Sequence, residues 1–129
     1  MSKIIRAANV MVAFPNKITE VSPASEGEEI FFRYDNKSVW SIINSGEEIA
    51  LYCYPKATSA AEVARVSNFK GMPLVRYSTE TLNTREARAT FRDLYNTLRE
   101  KVYGMDVILE HILSEEGSKN SSPNNEIPF

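Results

Sequence analysis

Aromatic and cationic side chains crowd two neighbouring stretches of this sequence. Phe31, Arg33, Lys37 and Trp40 fall on one expected hairpin, Tyr52, Tyr54 and Lys56 on the segment after it, and Arg76 and Tyr77 follow further on. Rings that stack on bases, beside cations that track phosphates, are how sequence-tolerant proteins hold a single nucleic-acid strand. The plainer explanation is that aromatics are common in strands and that about half of them must face a core. Tyr52 and Tyr54 are the best stacking candidates, because alternation assigns Ile49, Leu51 and Cys53 to a core face and both tyrosines to a wetter one.

Catalytic chemistry finds less support. His111 is the sole histidine and lies off the apolar stripe of its helix, and Cys53 is the sole cysteine. A Cys53–His111 nucleophilic pair has no motif behind it, and a lone cysteine on a core face is usually a small inert hydrophobe. Neither a second histidine nor a cysteine pair is available for a metal site of the usual spacings. Glu28-Glu29 and Glu47-Glu48 flank turns, where carboxylates simply solvate strand ends, and the five glycines form no phosphate loop. The sequence predicts a non-enzymatic protein with no cofactor and no metal.

The elements that must position these residues read as an α+β domain. Residues 9–14, 17–21, 29–34, 38–44, 48–54 and 73–78 have strand character and are separated mainly by short turns such as Pro15-Asn16, Asp35-Asn36 and Ser45-Gly46. An antiparallel sheet of about five or six strands follows. Ser59 and Glu62 form a capping box that opens a short helix, and a loop with Phe69 and Lys70 near its tip comes next. The strongest signal is a long C-terminal amphipathic helix over residues 84–113, capped by Asn83 with Glu86. Its stripe runs through Ala87, Phe91, Leu94, Leu98, Val102, Met105, Leu109 and Ile112. Such a helix is about 45 Å long at roughly 1.5 Å per residue, more than one small sheet needs. Its last turns broaden with Val107, Ile108 and Leu113, which suggests a partner helix in a homodimer. Gly104 marks a close helix approach or a bend.

Composition sets the frame. A chain of 129 residues that is 43% hydrophobic and 25% charged is ordinary for one globular domain. No apolar run approaches the roughly 18 residues a membrane helix requires. The N-terminus lacks a secretory pattern, and a single cysteine precludes an internal disulfide, so the expected compartment is the cytoplasm. Residues 1–113 carry 14 Lys+Arg against 14 Asp+Glu, while Glu115, Glu116 and Glu126 outweigh Lys119 beyond them. Bulk charge therefore does not advertise nucleic-acid binding, which would need a local basic patch. Residues 1–113 form the expected domain. Residues 114–129, polar until their end, form an expected disordered tail.

That tail finishes in Glu126-Ile127-Pro128-Phe129. An exposed Ile127 and Phe129 gain nothing in water; beside Pro128 and a terminal carboxylate they suit an apolar pocket rimmed by a basic residue. The ending resembles the tail tip of bacterial single-stranded DNA-binding proteins, which closes on acidic residues followed by Ile-Pro-Phe or Leu-Pro-Phe. The resemblance implies that Phe129 enters a partner pocket, with Ile127 and Pro128 completing the docking element and Glu126 meeting a basic residue. The implied partners are replication, recombination and repair proteins. Two departures stand out. Asn124 and Asn125 replace the family's further acids, and the body lacks the look of its five-stranded OB barrel. Strands followed by a dimerising helix are nearer to single-strand binders of the coactivator-like or whirly type.

The resulting expectation is a dimeric single-stranded DNA-binding protein of phage, plasmid or divergent bacterial character. Its nucleic-acid contacts would be Phe31, Arg33, Lys37, Trp40, Tyr52, Tyr54, Lys56 and Arg76. The alternative is a protein–protein interaction module, dimeric through the long helix, that binds no nucleic acid.

Overall fold

A computed structural model describes residues 2–24, 27–66 and 71–121. The chain is α+β. Helix α1 (Lys3–Ala13) leads into strands β1 (Ile18–Pro23), β2 (Ile30–Tyr34), β3 (Ser38–Asn44) and β4 (Ile49–Tyr54). Helix α2 (Ala60–Ala64), strand β5 (Val75–Ser78) and helices α3 (Thr79–Leu82), α4 (Arg85–Val102) and α5 (Met105–Ser121) follow. The five strands form one antiparallel sheet in the order β1-β2-β3-β4-β5.

The strands from β1 to β5 match the expected segments closely, because each is bounded by residues that tolerate a turn. Asp35 and Asn36 both adopt positive φ, 56° and 55°, as the tight β2–β3 connection requires. Residues 9–14 are not a strand: residues 9–13 form the second half of α1, and Phe14 is its C-cap. Val10 and Val12 suggest β locally, yet Ile4, Ile5, Ala8 and Met11 recur at helical spacing and are buried. Ser2 caps that helix by accepting from the Ile5 N–H at 3.4 Å. Packing on α4 decides the outcome, helped by the Thr90 hydroxyl donating to Asn9 Oδ1 at 3.0 Å.

Both faces of the sheet carry core. On the inner face Ile30, Phe32, Ile42, Ile49 and Leu51 pack with α1 and with Phe91, Leu94 and Leu98 of α4. Complete burial of a side chain such as Phe91 is worth about 1.5–3 kcal/mol. On the outer face α2 covers Phe31, Val39 and Tyr54 through Ala60, Val63 and Ala64. Ser59 caps α2 as expected, its Oγ accepting from the Glu62 N–H at 3.2 Å. Glu20, at φ 52° in a bulge of β1, adds a second cap by accepting from the Ala60 N–H at 2.7 Å.

The single long helix is interrupted. Thr84, not Asn83, caps α4, accepting from the Ala87 N–H at 3.0 Å; Asn83 instead closes α3 in the left-handed conformation. Gly104 at φ 68° ends α4, its N–H bonding the Lys101 carbonyl at 3.2 Å as in a glycine-terminated helix. The chain then restarts as α5. That helix continues to Ser121, past the residue where the tail was expected to begin. Residues 122–129, with the whole tip Glu126-Ile127-Pro128-Phe129, lie outside the described residues, as do Phe69 and Lys70.

Candidate nucleic-acid interface

Pairing aligns the candidate residues in two cross-strand rows on the outer face. Phe31 stands opposite Ser41, Ser41 opposite Tyr52, and Tyr52 opposite Arg76; Arg33 stands opposite Val39, and Val39 opposite Tyr54. Strand parity thus puts Phe31, Arg33, Tyr52, Tyr54 and Arg76 on one side of the sheet. The predicted parity of β4 holds, but the wetter face does not, because α2 packs on it.

That cover removes two stacking candidates. Phe31 and Tyr54 are buried, their ring centres 6.0 Å apart and inclined at 34°. Tyr54 OH meets Ser41 Oγ at 2.8 Å, and Ser41 Oγ donates to Glu29 Oε2 at 2.6 Å. Burial is the main force raising the Tyr54 phenol far above its ordinary value, with the Ser41 bond opposing. This is a structural node, and no base reaches either ring. Trp40 falls on the inner face, half-buried against the main core, with its Nε1 donating to Ser38 Oγ at 2.7 Å.

Tyr52 and Arg76 remain together. Tyr52 is half-buried and Arg76 exposed, and Arg76 Nε donates to the Tyr52 phenol oxygen at 3.1 Å. The guanidinium carbon lies 5.9 Å from the ring centre, and Nη2 donates to Glu48 Oε2 at 2.8 Å. The Tyr52 bond is the leading cause that raises the Arg76 guanidinium above its ordinary value. A cation laid against a partly exposed tyrosine is the pairing of ring and positive charge that single-strand binders use for bases and phosphates. At the other end of the same strands, Arg33 Nη2 braces the turn by donating to the Asn36 carbonyl at 3.0 Å. Lys37 lies 3.8 Å from Asp35, and Lys56 is exposed.

A second cationic surface escaped the sequence reading. Arg88, Arg92 and Arg99 are exposed on α4, and Arg99 lies 5.9 Å from the Tyr95 ring centre and 6.0 Å from that of Tyr103. Their spacings of four and seven put them on one flank of a helix. The same periodicity that found the apolar stripe would have found this row had it been applied to arginine.

The catalytic alternatives stay apart. Cys53 is half-buried in β4, and burial pushes its thiol up, the reverse of what a nucleophile needs. His111 is exposed on α5, its Nε2 at 4.0 Å from Glu115 Oε2. Among the described residues no three His, Cys, Asp or Glu side chains gather to hold a metal ion. No helix of the described residues is long and apolar enough to cross a membrane.

Comparison of the chain with protein-family models, with curated proteins and with solved structures finds no match.

Proposed function

We propose that this chain is a non-enzymatic single-stranded DNA-binding protein. The observation that carries the reading is the Tyr52–Arg76 pair, an accessible ring with a guanidinium on it, on a sheet face whose far end holds Arg33, Lys37 and Lys56. Tyr52 stacks a base, while Arg76 and the cations at the far end meet phosphates. The contact set is narrower than the sequence suggested, since Phe31, Tyr54 and Trp40 act in the core. The tip Glu126-Ile127-Pro128-Phe129 recruits genome-maintenance proteins in this account, a role that rests on its family resemblance alone. Anisotropy of a labelled oligonucleotide at low salt tests the reading: single strands should bind at micromolar protein, and equal or tighter binding to duplex would reject it.

One observation favours a second reading, self-association. Val107, Ile108, Leu109, Ile112 and Leu113 are all exposed on α5, from 46% at Leu109 to 74% at Val107. Contiguous apolar surface of this kind marks interaction sites. A homodimer through α5 is compatible with strand binding, and equally with an interaction module that binds no nucleic acid. Sedimentation of the wild type against Ile108→Ser/Ile112→Ser tests the dimer directly; a wild type that stays monomeric at high micromolar concentration contradicts it.

A further inference from the structure

The row of arginines on α4 borders two adjoining cavities. One, of about 400 Å³, lies between Arg88, Arg92 and Arg99 on the helix and Glu47, Glu48 and Thr79 opposite. The other, of about 360 Å³, continues along α4 between Arg99 with Tyr103 and Glu28 with Glu29. Tyr95 and Arg99 line both, so they join into one groove running from Arg88 to Tyr103. At about 1.5 Å per residue that path is roughly 22 Å long.

Its charges are divided between its two walls. None of the three guanidiniums has a carboxylate within ion-pair distance among the described residues. On the opposite wall Glu48 is taken by Arg76 at 2.8 Å, and Glu29 accepts from Ser41 at 2.6 Å. Glu28, Glu29 and Glu47 keep their charge, so the carboxylates gather on one wall of the groove and the three guanidiniums on the α4 wall. Arg99 lies within 6 Å of the rings of both Tyr95 and Tyr103, which holds it at the junction of the cavities, and Tyr103 is 66% exposed. Glu48 also links the groove to the outer face, since it lines one and binds Arg76 of the other.

We propose that this groove binds the sugar–phosphate backbone of a single nucleic-acid strand, with Arg88, Arg92 and Arg99 contacting phosphates and Tyr103 stacking an unpaired base. An array of guanidiniums fits a chain of phosphates. The exposed ring selects single strands, because a duplex keeps its base faces covered. The site rests on the single-strand reading and extends it, giving a strand that passes Tyr52 and Arg76 a second track beyond Glu48.

The test titrates the full chain into a labelled single-stranded oligothymidylate across a salt series. The triple variant Arg88→Gln/Arg92→Gln/Arg99→Gln should bind at least tenfold more weakly. Its slope of log K against log salt should fall by about 2, since each phosphate contact on a single strand contributes roughly 0.7. Lysine at all three positions should restore that slope. Glu47→Gln should tighten binding severalfold, an effect that loss of structure does not produce, so it decides the matter if the triple variant folds poorly. Unchanged affinity and slope in the triple variant, or no tightening with Glu47→Gln, overturns the groove. If Tyr52→Ala and Arg76→Ala still weaken binding in that case, the outer-face reading survives alone. A wild type that binds no oligothymidylate overturns both.

Discussion

Arg76 engages Tyr52 twice, donating from Nε to the phenol oxygen at 3.1 Å and resting its guanidinium carbon 5.9 Å from the ring centre. The two residues face each other across β4 and β5, so the sheet register fixes their contact. Under the proposed function, that contact separates the residues assigned to strand binding from those that hold the fold. Tyr54, two residues from Tyr52 on the same face, lies under α2 and belongs to the second group.

Tyr52→Ala should therefore weaken single-strand binding by about 1–3 kcal/mol, the usual value of one stacked base. Tyr52→Phe keeps the ring and should keep most of the affinity. Oligonucleotide anisotropy on both variants checks this, and equal losses in the two would point to the hydroxyl rather than to stacking.

Tyr54→Phe should leave strand binding unchanged and cost about 1–2 kcal/mol of stability, since the phenol bonds Ser41 at 2.8 Å and, more weakly, Glu29 at 3.5 Å. Ser41 and Glu29 keep their own bond at 2.6 Å. Denaturant melts beside the binding assay separate the two effects.

The same phenol predicts a pH dependence. Burial holds Tyr54 protonated above its ordinary value of 10.0. The unfolded chain therefore ionises first, and the stability present below about pH 10 is lost as pH rises above it. One such group contributes up to about 1.4 kcal/mol per pH unit there. Denaturation midpoints between pH 9 and pH 11 should fall more steeply for the wild type than for Tyr54→Phe.

Gly104→Ala should lower the melting temperature. The position needs φ 68°, which costs an L-residue roughly 1–2 kcal/mol. For a chain of this size that is a shift of several degrees, on the order of 2–8 °C per kcal/mol. An unchanged or higher melting temperature would mean that α5 can run straight on from α4.

Much of the sheet was legible because its signals are local. Asp35-Asn36, Ser45-Gly46 and the alternation of β4 mark strand ends and faces without knowledge of the rest of the fold. The failures are non-local. Residues 9–14 carry β-branched side chains, and only the packing of Ile4, Ile5, Ala8 and Met11 against α4 makes residues 9–13 helical. The apolar stripe from Ala87 to Ile112 reads as one helix, since periodicity does not register the left-handed turn at Gly104. Parity placed Tyr54 on the face opposite Leu51, but it does not show that α2, only six residues further on, folds back to cover it. Arg88, Arg92 and Arg99 were visible at helical spacing; what the sequence lacked was the turn carrying Glu47 and Glu48, which makes the groove.

Binding of a labelled single strand across a salt series tests the central claim most directly. The account predicts micromolar binding at low salt that outcompetes duplex, with log K falling linearly as log salt rises. Absence of binding at low salt, or binding insensitive to salt, would contradict it.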